Sequence, residues 1–310
     1  MGSGSFSTST YNYVSRDRDY DKKSADAIFS KSLKDTMNPA SFKNGMRECR
    51  DSDDHPFSVP IIVCLDVTGS MGSIPAKLIK DKFPDLMETL IKNGVEHAQV
   101  CFAAIGDHIS DDVPLQCGQF EQDTVKLLDS LQSIFIEKGG GGQTMESYPL
   151  AWYVAAYHTS TDSFEKRGLK GYLFTIGDES FHKKYSGKAL CDIMGISEAE
   201  EKTAQQLYDA ACEKYHVFHI HVNDGSYTMG QLGTDWEDLL RERLLILKHS
   251  DNVAELIATT VAVINGADMD NILSSIDADA ATNVSTALVN FKDVLPTIVG
   301  NQNQGVIKLD

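Results

Sequence analysis

Residues 59–71 read VPIIVCLDVTGSM, and this stretch decides the fold. Val59–Leu65 is an unbroken apolar run with no polar alternation, the pattern of a strand buried on both faces of a parallel sheet. The run ends abruptly in Asp66, Thr68 and Ser70, spaced at every second residue with Val67 and Gly69 between them. That spacing places a carboxylate and two hydroxyls on one side of a tight loop. All three are hard oxygen donors, suited to Mg²⁺ and acceptable to Mn²⁺ or Ca²⁺. In open parallel sheets ligands bind beyond the carboxyl ends of the strands, which is where these residues fall.

Outward from this stretch the chain alternates strands and helices. Ala76–Lys92 carries Leu78, Ile79, Phe83, Leu86, Met87 and Leu90 at helical spacing. Ala98–Ile105 is a second buried strand, followed by the polar loop GDHISDD. Helices are predicted over Asp123–Phe135, stopped by Gly139–Gly142, and over Ser147–Tyr157. Gly171–Ile176 and His216–Val222 read as strands, and Glu198–Lys214, Asp235–Leu247 and Val253–Asn265 as helices. The alternation predicts an α/β fold, a doubly wound and mainly parallel central sheet flanked by helices, over residues 58–265. Residues 1–57 form an N-terminal extension with one short amphipathic helix around Ala25–Leu33. Its first 15 or so residues are polar without apolar periodicity, and are expected to be mobile until a partner orders them. Residues 266–310 form a C-terminal tail, helical in part.

The run Asp66–Met71 resembles the DxSxS motif of the metal-ion-dependent adhesion site in von Willebrand factor A (vWA) domains, with Thr68 in place of the first serine. Thr144 in GGGGQTMES matches the family's threonine from a Gly-rich loop, and Asp178 in FTIGDES matches its aspartate after the fourth strand. The resemblance covers roughly residues 58–265. It implies a metal site of Asp66, Thr68, Ser70, Thr144 and Asp178. Ser70 and Thr68 would contact the ion directly, Thr144 would join in the ligand-bound state, and Asp66 and Asp178 would act through water. One coordination position would stay open for an acidic group of a partner. Some vWA subfamilies read GGG-Asp-x-Pro-Glu in the loop. Aligned that way, Gln143 replaces the aspartate and Glu146 becomes a ligand; otherwise Glu146 is a favourable charge at a helix N-terminus.

Asp107 and His108 follow the second strand at the same sheet edge, Asp107 reading as an exposed loop acid or as a rim to the metal site. His219 and His221 alternate on one face of the last strand, and packed strand histidines are expected there rather than a zinc pair. Trp236 reads as core. Six cysteines without a CxxC pair read as reduced, partly buried thiols of a cytoplasmic protein. There is no P-loop, GxSxG elbow or HExxH.

The formal net charge is −17, from 28 basic and 45 acidic residues, and no basic run is present, so nucleic acid is not the expected partner. Nine basic and nine acidic residues fall within 1–58, so the whole acidic excess lies beyond. No apolar run approaches the ~20 residues of a membrane span, and the N-terminus lacks a secretory pattern. The expected function is a metal-dependent protein–protein interaction module of the intracellular vWA type. The resemblance suggests a MoxR-type AAA+ ATPase as partner. A metal-dependent hydrolase and a structural subunit of a larger assembly are the alternatives.

Overall fold

The computed structural model describes residues 4–137 and 145–291, without the side chains of Ser70 and Gly72. Its main sheet has six strands, labelled here β1 (Val59–Asp66), β2 (Ala98–Ile105), β3 (Leu115–Cys117), β4 (Gly171–Gly177), β5 (Tyr215–Val222) and β6 (Leu244–Leu247). Their order across the sheet is β6-β5-β4-β1-β2-β3. All neighbours run parallel except β3, which is antiparallel to β2. The apolar run of β1 is continuous because both of its faces are covered. Ile61, Val63 and Leu65 belong to one core cluster, and Ile62 and Cys64 to the other.

Helices α1 (Thr8–Asp17), α2 (Phe83–Lys92), α3 (Thr124–Gln132), α4 (Pro149–Tyr157), α5 (Ala204–Lys214) and α6 (Val253–Ile264) supply most of the cover. Residues of α1, α2, α3 and α6 join the first cluster, those of α4 and α5 the second. Thr203 starts α5 with a capping box to Gln206. Every residue of α6 is buried, and its one charged residue, Glu255, pairs with Lys82 at 2.6 Å. The tail contributes Met269–Ser274 and Ala278–Ala287, and Phe291 meets Phe218 edge to face. Among the described residues, no helix is long and apolar enough to cross a membrane.

Three expectations from the sequence are corrected. The helix expected over Asp235–Leu247 ends at Leu240, and Leu244–Leu247 is the edge strand β6. Arg241 adopts φ +51°, which breaks the helix, and the four apolar residues after Arg243 pair with His219–Val222 of β5. A short apolar run carries no period that separates strand from helix. Second, residues 8–17, read as polar without periodicity, form the helix α1, capped by Ser7 and burying Tyr11 and Val14, while Phe6 meets Phe83 edge to face. Third, the amphipathic helix around Ala25–Leu33 is confined to Ala25–Ile28.

The helix after β1 begins at Ser73 as one α segment, Ser73–Lys77, widens into a π turn at Leu78–Lys82, and continues as α2. Pro84 has no N–H to donate to the Lys80 carbonyl, so an ordinary α ladder is interrupted there. The Tyr11 hydroxyl reaches across from α1 and donates to that Lys80 carbonyl, lying also 3.1 Å from the Ile79 carbonyl. All six cysteines are free thiols, four of them buried.

Candidate metal centre

Register brings the ends of four strands level. Asp66 lies beside Ile105 of β2, Leu65 beside Ile176 of β4, and His221 of β5 beside Gly177. From β1 the chain builds outward through β2 and β3, then returns to the opposite side of β1 with β4. The edge between β1 and β4 is therefore the topological switch point, where the two connections diverge and leave a crevice.

Asp66 ends β1 and is buried. Its Oδ1 accepts the Thr68 N–H at 2.9 Å and the Thr68 hydroxyl at 2.6 Å, and its Oδ2 accepts the Tyr148 hydroxyl at 2.6 Å. The chain then turns through the 3₁₀ segment Gly69–Gly72, with Gly69 at φ +37°. Asp178 follows β4 and is also buried. Its Oδ2 accepts the backbone N–H of Ser226 and, at 3.4 Å, that of Tyr227. A Cβ on Gly225 would overlap that carboxylate, so glycine is required for the loop after β5 to approach it.

Two further carboxylates crowd the same place. Glu146 sits in a two-residue strand, Met145–Glu146, parallel to Ser180–Phe181, and its carboxyl contacts the Thr68 side chain. Glu179 follows Asp178. Among the described residues, Glu146 Oε2 and Glu179 Oε2 are buried with no hydrogen-bond partner. Burial and then the Asp178 charge push the Asp66 carboxyl up to about 7, against the hydrogen bonds from Thr68 and Tyr148. Burial, with Asp66, Glu179 and Asp111 nearby, pushes Glu146 up to about 10. Burial, then Asp66 and Asp178, raises Glu179 to about 7. Carboxylates so placed resist ionising together, and a cation among them removes that resistance.

Of the residues singled out by sequence, Asp66, Thr68 and Asp178 are brought to this edge. Ser70 lies within the 3₁₀ turn, its side chain outside the description, and Thr144 and Gln143 lie outside the described residues. Glu146 is not a helix N-terminal charge: α4 begins only at Pro149, and Glu146 is buried against the Asp66 loop. Glu179 and Tyr148 are site residues that the motif spacing does not reach. Glu179 was visible as a second acid after a strand end, whereas nothing local marks Tyr148.

Asp107 is not an exposed loop acid but 3 % exposed. Its Oδ1 lies 2.7 Å from His182 Nε2 and accepts the Ile109 N–H at 3.1 Å, and its Oδ2 accepts the Ser110 hydroxyl at 2.8 Å. His108 Nδ1 is 2.8 Å from Ser147 Oγ, and the His108 and His182 rings meet edge to face at 4.7 Å. Burial and the neighbouring His182 hold His108 below its usual range. His219 and His221 behave as packed strand histidines. His219 Nδ1 lies 2.9 Å from Thr175 Oγ1 and its ring stacks on Trp236 at 3.7 Å, while His221 Nε2 meets the Tyr227 carbonyl. Trp236 is core, its indole N–H donating to the Glu179 carbonyl at 2.9 Å.

No family model and no curated protein matches this chain. Solved structures similar to it include the pilus adhesin SpaC from Lactobacillus rhamnosus GG in its open conformation, at TM-score 0.44 and 10% identity over 74% of this chain and 31% of that one. Proximal thread matrix protein 1 from the mussel byssus, with a zinc-occupied MIDAS motif, is similar at TM-score 0.38 and 14% identity over 70% of this chain and 48% of that one. A von Willebrand factor type A protein from Catenulispora acidiphila is similar at TM-score 0.36 and 12% identity over 66% of this chain and 42% of that one. The chain spans less than half the length of each of these structures.

Proposed function

We propose that this chain is a metal-dependent protein-interaction module of vWA type. In this reading Asp66, Thr68, Ser70 and Asp178 hold a divalent cation, Mg²⁺ in the first instance, with Thr144 approaching from the Gly-rich loop and Glu146 beside them. The observation that supports it is the pair of buried, unpartnered carboxylate oxygens, Glu146 Oε2 and Glu179 Oε2, next to the Asp66 loop. A buried carboxylate left without a partner is costly, and hard oxygen donors of this kind fit Mg²⁺ or Mn²⁺. Bound there, the ion supplies an electrophilic position for an acidic side chain of a partner. The partner class we favour is a cytoplasmic AAA+ ATPase of MoxR type, on the strength of the motif resemblance.

The test is capture of that ATPase by wild type and Asp66→Ala, each in Mg²⁺ and in EDTA. Capture by wild type in Mg²⁺ alone is expected, and capture that persists in EDTA refutes the reading. A second reading, metal-dependent hydrolysis, draws on Glu179, a half-buried acid with a pKa near neutrality beside the same site. Mg²⁺-dependent hydrolysis of a test ester, lost in Glu179→Gln while Mg²⁺ binding is kept, would put that reading first.

A further inference from the structure

We propose that Asp107, His108 and His182 form a second divalent-cation site, of imidazole-rich ligand chemistry suited to zinc. One ligand atom from each of the three residues lies within 4.8 Å of the others, so a single ion can take the place of the hydrogen bond that now joins Asp107 to His182. Asp107 and His182 are buried and His108 nearly so, leaving the His108 side as the way in. Two ring nitrogens are borderline donors, and a carboxylate beside them is a ligand zinc accepts, whereas the Asp66 site offers oxygen alone. Three protein ligands leave a fourth position open, and Ser147 Oγ stands 2.8 Å from His108 Nδ1 on that side.

The set is braced as metal ligands are. The Asp107 carboxylate is held by the Ile109 N–H and the Ser110 hydroxyl, and the His108 backbone N–H donates to Ser147 Oγ at 2.9 Å, which fixes the chain that carries the ring. The same short strand pair serves both sites. Glu146 lies in register with Phe181, so the next residues along, Ser147 and His182, arrive together at the Asp107 loop while Glu146 turns to Asp66. His182 donates its backbone N–H to the Glu146 carbonyl at 3.3 Å. This proposal does not rest on the interaction function proposed above.

Metal-stripped full-length chain would be titrated with Co²⁺, a spectroscopic stand-in for zinc, in a large excess of Mg²⁺. Nitrogen-ligated Co²⁺ of low coordination number absorbs intensely in the visible, whereas six-coordinate Co²⁺ among oxygens absorbs weakly. The intense band is expected in wild type and in Asp66→Ala. His182→Gln, which can keep a hydrogen bond to Asp107, and His108→Ala should each weaken binding at least about tenfold. His108→Ala, on the more open side of the cluster, decides the matter if His182→Gln does not fold by circular dichroism. No intense band in wild type, a band unchanged in the folded histidine variants, or a band lost in Asp66→Ala would each overturn the proposal.

Discussion

The Tyr148 hydroxyl passes the end of β4 at Gly177, in the space a side chain there would fill, and donates to Asp66 Oδ2 at 2.6 Å. A residue heading α4 thereby orients the carboxylate that ends β1. Gly177→Ala should displace that hydroxyl and destabilise the fold by about 1–3 kcal/mol, as small-to-large changes in packed sites do. Tyr148→Phe should cost less, about 1 kcal/mol, since it removes the hydrogen bond to Asp66 and the long one from the Glu179 N–H without a clash. Urea denaturation of the two variants gives the comparison, and equal costs would count against a steric role for Gly177.

Without metal, stability should fall as pH rises from 7 to 8.5. Across that window an unfolded Glu146 is already ionised, whereas the folded one, with its pKa near 10, keeps its proton. The folded state then binds more protons than the unfolded one, so alkalinity favours unfolding, by up to about 1.4 kcal/mol per pH unit for one proton. Asp66 and Glu179, both near 7, add to the slope at the lower end. The buried histidines, held low by burial, act with the opposite sign and only below about pH 6.5, outside the window. Denaturation in chelator should show this slope in wild type and a flatter one in Glu146→Gln.

Mg²⁺ at a hundredfold excess over its dissociation constant should stabilise the fold by about 2.7 kcal/mol if it binds the folded state alone. The gain should grow from pH 6 to 8, because the ion must displace the protons that Asp66 and Glu146 retain. Asp66→Ala should erase it. Thermal denaturation with and without EDTA measures the difference, and an undiminished gain in Asp66→Ala would place the ion elsewhere.

Tyr11→Phe should cost about 1 kcal/mol by leaving the Lys80 carbonyl without its donor. Amide exchange should quicken in Leu78–Lys82 more than in β1 or β2. Unchanged exchange in the π turn would mean that the carbonyl is served without Tyr11.

Much of the arrangement was legible because its signals are local. The run Val59–Leu65 and the polar triplet after it state both a buried strand and what stands at its end, and Asp178 is readable the same way after β4. Glu146 was harder, since an acid shortly before a helix is ordinary helix chemistry, and only the Met145–Glu146 strand pairing turns it inward. His182 could not be joined to Asp107 because 75 residues separate them and the pairing of Ser180–Phe181 has no periodic signature. Residues Leu244–Leu247 are too short to show a period, so their sequence does not separate the β6 edge from the helix before it. In α1 only Tyr11 and Val14 are buried apolar residues, too few to outweigh the polar majority around them.

The π turn before α2 has one more implication. A helix that accommodates an extra residue in one turn has its two ends set out of phase, and here Pro84 and Tyr11 hold that setting. Removing one residue from Leu78–Lys82 would restore ordinary winding and swing the Ser73 end by about 100° relative to α2. The buried face of Phe83, Leu86 and Leu90 would keep its seat, while Ile74 and Leu78, also buried, would turn away from the core and the loop bearing Thr68 would meet the helix on a different bearing. The aim of that loop is thus an angular quantity set by a single residue, and resetting it would cost the packing of Ile74 and Leu78.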